Sequence, residues 1–295
     1  MASESAAKLF ARLGSRQTVI GMEDRLFSKL QFNGLTCGDV VEFYGSEGCG
    51  KTEMLLHLMI KCIMPDNFRG IAMNGRSMSV VYIDCDYHFN LLRLMSILEQ
   101  RYCKACQGSN ATMVKHSEEF IRKCLERFYI IRCDTIHQLI TSLHLLEYSI
   151  SSNPDIGIML IDGIGSFYWQ DKFSSSSGVD QLCKIVKYLC DEHNLIVLAT
   201  KSAIRKQFEN SRLANKSRLR NDIASNYNST HSKHMEYMPN VWRKLVKYRY
   251  ILSKIDSELS GANSYSATYS VVLEHPSSIE SAERFIVSEE GVVFI

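Results

Sequence analysis

The chain has 295 residues, 45% of them hydrophobic, enough to bury a sizeable core in one large domain or two modest ones. Its 34 Lys and Arg against 32 Asp and Glu leave a formal charge of only +2, so bulk charge argues for neither a nucleic-acid nor a membrane partner. Apolar runs are short and broken by charge, Met1-Ala2-Ser3-Glu4-Ser5 lacks the basic start of a leader, and ten Cys without framework spacing predict reduced core thiols in a cytosolic or nuclear protein.

Ala6 to Leu13 has the spacing of a short amphipathic helix, suited either to core packing or to a partner. Val40-Val41-Glu42-Phe43-Tyr44 reads as a buried strand, followed by a glycine-rich turn and a helix from Thr52 to Met64, stopped before Pro65. Strands are predicted at Val80 to Asp84, Phe128 to Cys133, Ile158 to Asp162 and Leu195 to Thr200, with helices at Leu91 to Tyr102, Ile136 to Ile150 and Val179 to Glu192 between them. Cys103 and Cys106 are spaced like a metal pair but have no second pair, so they read as chance. The alternation predicts an α/β fold, a mostly parallel twisted sheet flanked by helices. Beyond a basic stretch from Lys201 to Met238, short strands at Tyr248 to Lys254, Tyr265 to Leu273, Arg284 to Val287 and Val292 to Ile295 predict an antiparallel finish.

The turn Gly45-Ser46-Glu47-Gly48-Cys49-Gly50-Lys51-Thr52 is a P-loop. Its glycines let backbone N–H groups converge on phosphate oxygens, Lys51 adds a cation for the terminal phosphates, and the Thr52 hydroxyl suits Mg²⁺. Asp162, ending an apolar strand, is the carboxylate expected to hold hydrated Mg²⁺; without a P-loop upstream it would read as a cap or turn residue. Asp84-Cys85-Asp86 closes a strand expected to lie beside the P-loop strand, and it supplies either a carboxylate for the attacking water or a pair of solvated acids. Lys201 and Ser202 are either γ-phosphate reporters or solvated groups. The stretch carrying Arg205, Lys206, Arg212, Lys216, Arg218 and Arg220, with Tyr227 and Tyr237, is either a binder of nucleic-acid phosphates or a solvated basic loop. Phe167-Tyr168-Trp169 lines a second loop or packs.

These features together resemble the RecA-like recombinases from about Gly38 onward. Gly50-Lys51-Thr52-Glu53-Met54-Leu55, Asp84-Cys85-Asp86-Tyr87-His88-Phe89, Leu91-Leu92-Arg93-Leu94, Phe167-Tyr168-Trp169 and Trp242-Arg243-Lys244-Leu245-Val246-Lys247 narrow the resemblance to the eukaryotic recombinase paralogs. It implies a RecA-like ATP-binding core over residues 38–295, with residues 1–37 a short helix and linker rather than a separate helical domain. It further implies ATP and Mg²⁺ as ligands, sister paralogs as partners in a heteromeric complex, single-stranded or branched DNA as a target, and a nuclear location with some cytoplasmic protein. The role implied is homologous-recombination repair of double-strand breaks, assisting the strand-exchange recombinase. Asp86 stands where the family places a catalytic Glu, and Ser202 near its usual Gln, so the resemblance implies weak turnover. With no Phe-x-x-Ala motif, self-polymerisation is not expected. The other readings are an active DNA-dependent ATPase and, more distantly, a small-molecule P-loop kinase whose lid would use Arg212, Arg218 and Arg220.

Overall fold

A computed structural model describes residues 19–30, 34–106, 116–153, 155–173, 177–204, 236–255, 267–276 and 282–295. The expected helix from Ala6 to Leu13 and the cations Arg205, Lys206, Arg212, Lys216, Arg218 and Arg220 lie outside the described residues.

The described chain forms a nine-stranded sheet: β1 (Val40–Gly45), β2 (Ser79–Asp84), β3 (Phe128–Arg132), β4 (Ile156–Asp162), β5 (Ile196–Ser202), β6 (Tyr248–Ile255), β7 (Thr268–His275), β8 (Glu283–Ser288) and β9 (Gly291–Phe294). Their order is β9-β8-β7-β6-β1-β5-β4-β2-β3, with β6 to β3 parallel throughout and β7, β8 and β9 added antiparallel. This corrects one expectation: β2 does not flank the P-loop strand, because β5 and β4 stand between them. Local periodicity fixes that a segment is a strand, not which neighbour it takes.

Parallel strands need helical crossovers, and these cover both faces. On one side α1 (Lys51–Ile63), α2 (Leu91–Ala105) and α3 (Ser117–Leu125) pack Leu58, Leu94 and Phe120 into one core cluster. On the other, α4 (Ile136–Ser152), α6 (Gly178–His193) and α7 (Asn240–Leu245) pack Leu143, Leu182 and Trp242 into a second, with the short α5 (Tyr168–Phe173) between α4 and α6 in sequence. β1, β2 and β4 are buried along their whole length, the reason they read as near-continuous apolar runs, interrupted in β1 by Glu42. α3, α5 and α7 are additions to the predicted elements. Each is at most nine residues, too few turns for apolar spacing to repeat. The described part of the first segment, residues 19–30, packs Met22, Leu26 and Phe27 into the first cluster.

Candidate functional site

The C-terminal ends of β1, β2, β4 and β5 meet at a cavity of about 900 Å³. The P-loop lies along it between β1 and α1, with Gly48 at φ 71° and Gly50 at φ 89°, conformations that cost a residue with a Cβ. At Gly50 the restraint is double, since a Cβ there would stand 3.2 Å from the Phe285 ring. Lys51 bends back over the loop, its Nζ donating to the carbonyls of Ser46 at 2.7 Å and Gly45 at 3.1 Å. Cys49 is buried and its thiol pKa is raised by that burial.

Thr52 and Asp162, 110 residues apart, are brought into direct contact: Thr52 Oγ1 donates to Asp162 Oδ2 at 2.9 Å. The carboxylate is held from three sides, with Tyr82 donating to Oδ2 at 2.7 Å and Thr200 to Oδ1 at 2.6 Å. Thr200 in turn accepts from the Gly163 amide at 2.8 Å, which locks the end of β5 to the turn after β4. Sequence reasoning misses Tyr82. Its one signal is a polar-tipped aromatic two residues before a strand-end acid.

The two acids at the end of β2 and just beyond it divide their work. Asp84 is fully buried and accepts from the amides of His88 at 3.1 Å and Phe89 at 3.2 Å, so it shapes the turn. Asp86 lines the cavity opposite the P-loop, beside Gly163 and Ser166. Crowding around its carboxyl raises its pKa, helped by the charges of Asp162 and Asp84 and opposed by a hydrogen bond from Ser166.

Lys201 is neither a phosphate reporter nor a solvated group. Its side chain is fully buried, with Nζ 3.1 Å from Glu42 and 2.9 Å from Glu236. Glu42 also accepts from Arg249 Nε and Trp242 Nε1, each at 2.6 Å. Burial alone would raise the Glu42 carboxyl, but Lys201 and Arg249 hold it below its usual range. Ser202 does line the cavity, and its carbonyl accepts from the Tyr237 hydroxyl at 3.1 Å. Of Phe167-Tyr168-Trp169, Phe167 packs in the core, Tyr168 meets Tyr237 edge-on, and Trp169 sits exposed on the cavity rim. The far wall comes from Tyr269 and Val287 in the antiparallel strands, with Tyr269 stacked on Phe285 at 5.2 Å. Cys103 is half-buried and Cys106 buried at the end of α2; among the described residues no three metal-capable side chains cluster.

The AAA domain family matches residues 30–201, which span β1 to all but the last residue of β5 and the polar side chains lining the cavity except those of Ser202, Tyr237 and Tyr269. DNA repair protein XRCC2 of Mus musculus is 32% identical over 301 residues, covering 99% of this chain and 97% of that protein. The chain belongs to the XRCC2 family of DNA repair proteins, built on a P-loop AAA domain. Other members and relatives agree. The XRCC2 homolog of Arabidopsis thaliana is 28% identical over 86% of this chain and 80% of its own length. DNA repair protein RAD51 homolog 2 of Homo sapiens is 25% identical over 88% of this chain and 64% of its own length. A P-loop domain of this type is a nucleotide-binding fold.

Proposed function

We propose that the chain binds ATP in the cavity at the P-loop and acts in homologous-recombination repair of DNA double-strand breaks. It does so in the nucleus, as one subunit of a heteromeric complex of recombinase paralogs. Residues 38–295 serve as the RecA-like core, and residues 1–37 as a short segment leading into it. The observation that carries the reading is the Thr52–Asp162 hydrogen bond at the mouth of the P-loop, an all-oxygen pair suited to a hard divalent cation. Mg²⁺ held there would neutralise charge on the β- and γ-phosphates. Phosphate oxygens would displace the Ser46 and Gly45 carbonyls as partners of Lys51, and the amides from Gly45 to Thr52 would close around them. The Tyr269 ring and Val287 offer the base an apolar wall.

Turnover is the weaker half of this chemistry. Asp86 shares the cavity lining with Glu47, Glu53 and Asp162, and in the role of orienting water it would be one methylene shorter than Glu, with poorer reach toward the attacking water. ATP therefore acts chiefly as a ligand that orders the P-loop edge for a sister subunit. Steady-state hydrolysis at saturating ATP and single-stranded DNA tests this directly. The expected rate is about a tenth or less of that of a strand-exchange recombinase under the same conditions. An equal rate would favour an active DNA-dependent ATPase.

A further inference from the structure

A second cavity, of about 600 Å³, opens beside the C-terminal half of α1 and shares no lining residue with the nucleotide cavity. Met73, Val292 and Phe294 give it an apolar floor. Arg25, Lys61, Arg101 and Lys104 line it with Glu23 and Glu290; Lys61 pairs with Glu23 at 3.1 Å, Lys104 with Glu290 at 2.7 Å and Arg25 with Glu283 at 3.2 Å, which leaves the Arg101 charge in excess. Arg101 is preset. Because a guanidinium only donates, its 2.8 Å contact makes His57 Nδ1 an acceptor, which puts the imidazole proton on Nε2, 2.6 Å from Glu23. Arg101 Nε donates to the Glu290 carbonyl at 3.3 Å, and among the described residues Nη1 has no hydrogen-bond partner.

The same cavity runs along the open edge of the sheet. Among the described residues β9 is paired on one side only, with β8, in a register that sets Gly291 opposite Ser288 and Val292 opposite Val287. The Ile295 amide donates to Arg284 at 3.0 Å, so by the alternation of an antiparallel ladder Val293 and Ile295 turn their backbone groups inward. Val292 and Phe294 turn theirs out. An edge of this kind is a template for another strand, and Gly291-Val292-Val293-Phe294 carries no Lys, Pro or bulge to blunt it.

We propose that β9 and the cavity beside it form a docking groove for an extended acidic peptide segment of a protein partner, paired through its main chain to Val292 and Phe294, with its carboxylates facing Arg101, Lys61 and Lys104. Charge complementarity selects the occupant. Residues 1–18 of this chain carry Lys8, Arg12 and Arg16 against Glu4, the sign of the groove itself, and a second copy would bring like cations together. Strand addition supplies main-chain affinity while the side-chain pockets supply specificity.

The test uses the full chain and a fluorescent blocked hexapeptide of alternating Glu and Val, beside a Gln-for-Glu control and a version N-methylated at alternate residues. The acidic probe should bind saturably, and Lys104→Gln, which removes one exposed ion-pair cation, should weaken it several-fold with a change in stability of no more than about 1 kcal/mol. Arg101→Met should weaken it further. The N-methylated and Gln probes should each bind at least about tenfold more weakly than the acidic one. No saturable binding of the acidic probe, or equal binding of the Gln or the N-methylated probe, would overturn the groove.

Discussion

His57 shows how much one buried residue can set. Burial lowers its pKa from 6.5 to about 4, with the Arg101 charge adding to the effect and Glu23 opposing it. Burial would raise Glu23, but the His57 hydrogen bond and Lys61 bring it from 4.5 down to about 2. Both folded values are depressed, so the stability these groups lend is complete above pH 6.5 and drains as pH falls, first through His57 towards pH 4 and then through Glu23. The His57 share is of the order of a few kcal/mol, since each tenfold change in proton affinity is worth about 1.4 kcal/mol. His57→Gln keeps a donor for Glu23 and an acceptor for Arg101 without the titration. Its denaturation free energy should stay nearly flat between pH 6.5 and 4.5 while that of the natural chain falls; parallel curves would contradict the assignment. None of this was legible in the sequence, where His57 sits inside an apolar helix pattern and its two partners are 34 residues before and 44 after it. By contrast the P-loop could be read directly as a short string in a fixed local context, and Asp162 followed from it, a strand-end acid whose role depends on the P-loop upstream.

At the scale of elements, the types and most boundaries of the nine sheet strands followed from apolar runs, since buried parallel strands carry their signal in sequence. Strand order did not, and neither did the charge cluster beneath the P-loop. Glu42, Lys201, Glu236 and Arg249 come from four separate segments, and the one sequence sign was a glutamate inside an otherwise apolar run. The cluster ties β1, β5 and β6 together below the phosphate loop. Lys201→Met leaves Glu42 and Glu236 short of a cation in a buried setting, where losing one partner costs about 3–5 kcal/mol. Breaking the exposed Arg69–Glu119 pair should cost no more than about 1 kcal/mol. Chemical denaturation of the two variants checks the contrast, and equal losses would mean that the cluster is not a buried unit.

Across the whole molecule, three elements of one site arrive from distant parts of the chain: the P-loop from β1, Asp162 and Asp86 from β4 and β2, and the apolar wall from β7 and β8. Membership of the XRCC2 family places that site in a DNA repair protein. If Arg212, Arg218 and Arg220 meet DNA phosphates, reversing their charge should weaken binding to single-stranded DNA and make its salt dependence shallower, by about one in the slope for each phosphate partner removed. Unchanged binding would leave that stretch a solvated basic segment. The P-loop remains the claim on which the rest depends. Titration of ATP and Mg²⁺ against the natural chain and Lys51→Ala tests it most directly: the variant should lose about tenfold or more in affinity while keeping its fold. Equal affinity in the two proteins would show that the loop does not hold the nucleotide.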